Sequence, residues 1–166
     1  MTKYLKNIHA KRSFMMKAEY INSFLSAFEN VTTQVLNEKI SRGKIYSKDK
    51  SKDIDGVLIS IGVTGDLKGY VMLGMNEDTA LNIASKMMCG MKIINFDEIA
   101  RSAVSELGNM IAGNSAITLF ELGKKVDITP PELYTSKDIF EIIDGSTICV
   151  PMQIKEDKIE INICLT

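Results

Sequence analysis

The chain has no tryptophan, one histidine, three prolines and three cysteines in 166 residues. Each scarcity closes off a class of chemistry. The lone His9 lies in a basic leading segment, and no cysteine has a recognisable base near it, so a Ser–His or Cys–His nucleophile has no support. No clustered His or Cys pattern suggests a metal held by the protein. Cys89, Cys149 and Cys164 are odd in number and lack CxxC spacing, which reads as small buried hydrophobes in a reducing, cytoplasmic setting rather than a disulfide framework. The longest apolar stretches, such as 57–63, fall far short of the roughly 20 residues of a membrane helix, so no membrane span is expected. Gly62, Gly65 and Gly69 are followed by neither Gly-Lys-Ser/Thr nor a helix, which makes them turn glycines and not a phosphate loop.

What is present is enough for a core. Hydrophobic residues make up 45% and charged residues 25%, the balance of one globular domain. The net charge of −1 conceals an asymmetry: Lys3, Lys6, Lys11, Arg12 and Lys17 meet no acid before residue 18. Residues 1–17 are read as a basic N-terminal extension outside the core, and 18–166 as the domain. The extension lacks the aromatic interleaving of a nucleic-acid surface, so no nucleic-acid partner is expected.

Apolar residues at helical spacing (Ile21, Phe24, Leu25, Phe28, Val31, Val35) predict a helix over 19–36. A solvated connection follows over 37–55, with a short strand near Ile45. Val57–Val63 and Tyr70–Met75 predict an antiparallel pair around Thr64-Gly65-Asp66-Leu67. Asn76 is placed to cap a helix running to Cys89, with Gly90 ending it. The methionines Met72, Met75, Met87, Met88 and Met91 read chiefly as core filling. Asn95 and Glu98, at capping-box spacing, open a long helix toward Leu122 with a bend near Gly113. Pro130 and Pro131 mark an edge or turn, and 147–154 and 158–165 predict a second strand pair. Helix and hairpin units therefore occur twice, which predicts an α/β single domain with helices packed on a largely antiparallel sheet and pseudo-duplicated helix/hairpin units.

On a wheel of 100° per residue, Ile99, Ala103, Val104, Leu107, Met110 and Ile111 form an apolar arc, while Ser102, Glu106, Asn109 and Gly113 fall on one polar ridge. Beside the ridge lie Ser105, Gly108 and Ala112, unusually small for a solvated helix face. Glycines inside a helix cost about 1 kcal/mol each, so Gly108 and Gly113 ask for a close approach by another backbone, either within the domain or from a partner. The pair Glu106 and Asn109 also has a plain reading as solvated helix neighbours.

The stretch Ser102-Ala-Val-Ser-Glu106-Leu-Gly-Asn109-Met-Ile-Ala-Gly113-Asn114 resembles the signature of the CheC/CheX chemotaxis phosphatases, with Ser four before Glu and Asn three after it. Segments around 62–69, 77–81, 87–91 and 122–131 resemble CheX in the same order, so the likeness covers roughly residue 18 onward. It implies a CheC-like fold, a homodimer formed through sheet edges, and a single active helix, since helix 19–36 carries no well-placed second motif. It further implies hydrolysis of the aspartyl phosphate of a phosphorylated CheY-type response regulator. In that reaction Asn109 positions the water and Glu106 anchors the regulator or, alternatively, acts as a base. Ser102, Ser105 and Gly113 are expected to support the pair or touch the partner. No cofactor of its own is implied; Mg²⁺ is expected in the partner regulator. A non-catalytic regulator-binding or dimerisation module is the competing expectation.

Overall fold

The structure, a computed structural model, describes the backbone of residues 2–48, 56–136, 138 and 147–166, and the side chains of those from 18 onward except 48. The second part of the predicted connection, 49–55, and the side chains of the basic leading segment lie outside it.

The first helix, α1 (Thr2–Leu36), starts well before the position where apolar periodicity sets in. Its buried residues Tyr20, Phe24, Leu25, Phe28 and Val31 recur every three or four positions and form one wall of the core. Asn37, in the left-handed region at φ 53°, ends it. Two short strands, β1 (Ile40–Arg42) and β2 (Tyr46–Lys48), flank the predicted position of a strand near Ile45. The hairpin β3 (Val57–Gly65) and β4 (Gly69–Met75) follows, then α2 (Glu77–Met87) and α3 (Glu98–Glu121). Strands β5 (Val126–Ile128) and β6 (Glu132–Thr135) sit on either side of Pro130 and Pro131, and the hairpin β7 (Thr147–Ile154) and β8 (Asp157–Leu165) completes the described fold.

All strand pairs are antiparallel and form one sheet in the order β1-β7-β8-β4-β3-β5, with β2 also on β7 and β6 also on β3. This order reads alike from both ends. The short strands after α1 pair with the hairpin of the second unit, and those after α3 pair with the hairpin of the first. The duplication inferred from element order is thus real in topology, with the two units interlocked through β4 and β8.

Pro151 lies inside β7, where a missing N–H would break a ladder. Its carbonyl accepts from Gly43 N at 2.7 Å, which directs its nitrogen toward the same edge. That edge is the gap between β1 and β2, so no regular strand–strand bond is lost.

The three described helices cover one face of the sheet. Ile59, Ile61, Val71, Leu73, Val150, Met152, Ile161 and Ile163 project toward Phe24, Phe28, Val104, Leu107 and Ile111 in one continuous core. At the end of α1, Glu38 accepts from Lys86 of α2 at 3.1 Å and from Lys155 of the β7–β8 turn at 2.6 Å. Both ammonium groups hold the Glu38 carboxyl below its usual pKa, Lys155 more than Lys86.

Candidate active site on the third helix

Helix α3 begins two residues later than the Asn95 cap expected from sequence. Asp97 is the N-cap, its carboxylate accepting from Ile99 N and Ala100 N at 3.1 Å each. Asn95 instead lies in a bend whose carbonyl accepts from Asp97 N, so it is spent on the preceding turn. From Glu98 the helix runs unbroken through Gly113 to Glu121.

The buried stripe is Ala100, Ala103, Val104, Leu107, Gly108, Ile111, Ala112, Ser115 and Leu119. It is rotated away from the apolar arc drawn from the sequence. Ile99, placed in that arc, is 49% exposed, and Met110 is only partly buried. The rotation follows from side-chain size: Gly108, the smallest residue of the stripe, sits at a close approach to β3. A Cβ at Gly108 would lie 3.0 Å from Ile59 Cγ2 and 3.4 Å from Ile61 Cδ1. Gly108 therefore serves close packing of α3 on β3. Gly113 does not: a Cβ there would meet nothing within 4 Å among the described residues.

That packing turns Ser102, Glu106 and Asn109 to the outside, all three exposed, with half-exposed Gly113 one turn beyond Asn109. Ser105 is half-buried and lies toward Gly108 and Ala112, apart from this face. Glu106 and Asn109, three positions apart, stand one above the other, about 4.5 Å apart along the axis. Among the described residues neither side chain is engaged in a hydrogen bond or ion pair, so both are free to address another molecule. Asn109 offers two N–H donors and a carbonyl acceptor; Glu106 offers a carboxylate.

A sequence model described as Chemotaxis phosphatase CheX matches residues 57–153, a span that contains all of α3. The chain belongs to this family. Among its relatives, the CheY-P phosphatase CheX of Thermotoga maritima is 32% identical over 143 residues, 86% of this chain and 92% of that one. CheX in the CheX–CheY–BeF₃–Mg²⁺ complex of Borrelia burgdorferi superposes with a TM-score of 0.75 at 32% identity, covering 88% of this chain and 97% of that one. A CheC-like superfamily protein from a Shewanella species gives a TM-score of 0.78 at 29% identity, covering 89% and 97%. The fold expected from the resemblance, helices on an antiparallel sheet in a single CheC-like domain, is the one observed.

Around this CheX-family helix the sequence left some exposed apolar groups unnoticed. Met72 and Met75 fill the core as expected, but Met88 is 38% exposed and Met91 more so. Met88, Ile99, Met87, Ala103, Glu98, Ser102 and Glu106 line an open groove of about 510 Å³ between the end of α2 and the start of α3. At the far end of the same helix face Ile117 and Phe120 also stand in solvent. Helical spacing alone assigns such residues to a core; the signal that separates them is which small residues the sheet demands opposite.

Proposed function

We propose that this chain hydrolyses the aspartyl phosphate of a CheY-type response regulator, with Asn109 orienting the attacking water and Glu106 anchoring the regulator. The observation that carries the reading is the solvent-facing, unencumbered Glu106 and Asn109 on α3 of a CheX-family fold. Their exposure argues against a scaffolding module with the ridge packed inside the domain.

An acyl phosphate is activated, so catalysis reduces to placing water in line and stabilising charge. The water oxygen bonds to phosphorus as the phosphorus–oxygen bond to the aspartyl group breaks, giving inorganic phosphate and the free carboxylate. Asn109 is not a base at neutral pH, but its amide can accept from the water and donate to a phosphoryl oxygen. Glu106, one turn away, pairs with a lysine of the regulator and so fixes the depth at which Asn109 enters. The Mg²⁺ that offsets phosphoryl charge belongs to the regulator's site. Ser102, on the groove side of Glu106, steadies the partner, and the small profile at Gly113 lets its backbone approach.

No described helix is long and apolar enough to cross a membrane. We place the protein in the cytoplasm, where Cys89, Cys149 and Cys164 stay reduced. A homodimer through sheet edges would use the outermost strands, β1 with β2 or β5 with β6.

The test is to mix catalytic amounts of the chain with a panel of phosphorylated CheY-type regulators and follow phosphate release. Multiple turnovers support hydrolysis; stoichiometric protection of the phosphate would establish a sequestering module instead.

A further inference from the structure

The groove between α2 and α3 is continuous with the proposed site, because Ser102 and Glu106 belong to both. Its apolar wall comes from Met87, Met88 and Ile99, and among the described residues its lining includes two carboxylates, Glu98 and Glu106, and no basic side chain. Lys86, the nearest base on α2 in sequence, is occupied by Glu38. The wall is held in place before any partner arrives. Gly90 N donates to Ser85 O at 2.8 Å, Met88 N to Ala84 O at 3.0 Å, and the Ser85 hydroxyl to Met91 O at 2.6 Å. Gly90 and Cys89 both take left-handed backbone to make the turn. Such preorganisation lowers the cost of seating a ligand.

We infer that this groove is a specificity pocket for the same regulator, taking an apolar side chain flanked by lysine or arginine from a loop beside the phosphorylated aspartate. This rests on the proposed phosphatase function. The apolar wall buries the side chain, and the carboxylates of the lining, Glu98 and Glu106, complement the flanking cation. Ile99 and Met88 are exposed in the free chain, so they contribute little to its own core and are available for this contact. They act in choosing and holding the partner, remote from the phosphorus, and are specificity residues rather than catalytic ones.

The experiment uses the full chain and the CheY-type regulator on which it turns over fastest, phosphorylated beforehand with acetyl phosphate. Met88→Ala/Ile99→Ala is expected to raise KM about tenfold with kcat at saturation unchanged, roughly the loss of one buried side-chain contact. Glu98→Lys is expected to raise KM at low salt and to approach wild type at high salt. Phe120→Ala, at the other end of α3, leaves KM unaltered, and thermal melts of all variants stay near wild type. An active wild type with unchanged KM in Met88→Ala/Ile99→Ala overturns the pocket while leaving hydrolysis standing. A raised KM in Phe120→Ala alone overturns it too, by moving the contact to the other end. A wild type silent on every phosphorylated regulator removes the phosphatase reading and the pocket with it.

Discussion

Gly108 on α3 packs against Ile59 on β3 so closely that the smallest possible side chain would stand 3.0 Å from the isoleucine methyl. This contact fixes the rotation of the helix about its own axis. With residue 108 against the sheet, residues 106 and 109 have nowhere to point but outward. The same helix carries Gly113 with open space around it, so two glycines that look alike in sequence answer different needs.

They should respond to substitution in opposite ways. Gly108→Val overpacks the interface and is expected to cost about 1–3 kcal/mol. Gly113→Ala gains helix propensity, about 1 kcal/mol, and should raise Tm by roughly 2–4 °C. The added methyl stands one turn from Asn109, so it should also raise KM for the phosphorylated regulator. Thermal melts and steady-state kinetics on the two variants separate packing from access.

Asn109→Ala should lose about a hundredfold in kcat, about 2.7 kcal/mol of barrier, with regulator binding largely retained. Glu106→Ala should weaken both binding and turnover, and Glu106→Gln should flatten the salt dependence of KM. Both side chains are exposed, so the variants should fold as the wild type does. Unchanged turnover in Asn109→Ala would end its assignment as the water-positioning group.

Asp97→Ala removes the acceptor for Ile99 N and Ala100 N and is expected to destabilise the fold by about 1 kcal/mol. Asn95→Ala should change stability by less than half as much, since its side chain is not the cap. Urea melts of the pair decide between the observed cap and the capping box that the sequence suggests.

Glu38 makes folding depend on pH. Its pKa is lowered by Lys155 and Lys86 in the folded chain, so its stabilisation is fully present above the ordinary unfolded carboxylate value, about 4.3. It is lost as pH falls through the lower folded-state value. Glu38→Gln should therefore be less stable than wild type at pH 7, with the gap closing as pH falls below the ordinary carboxylate range. Melts across pH 3–7 at low salt would reveal it, and a constant gap would remove the charge from the explanation.

How much of this was legible beforehand varied with the range of the interaction concerned. The Asn76 cap, the turn at Gly65, the left-handed stop at Gly90 and the strands of both hairpins depend on residues a few positions apart, and their boundaries came out close to the structure. The Glu106 and Asn109 pair was legible for the same reason: residues three positions apart on a helix are neighbours on its surface. The cap at Asp97 was missed because Asn, Asp and Glu crowd together there and local pattern does not rank them.

By itself, the sequence determined both hairpins and the helices that pack on them, though not where α1 begins, that the pattern occurs twice, and that one helix carries a carboxylate and an amide in register. Only the tertiary structure decided which way that helix faces. Periodicity weighs large apolar residues, whereas the close approach of α3 to the sheet is set by a small one, Gly108, and by the isoleucines of β3 that fill the space it leaves. That long-range fit put Ile99 in solvent and opened the groove beside Met88. The exchange of short strands between the two halves has the same origin, because pairing across the sheet answers to edge geometry that no local run of residues encodes.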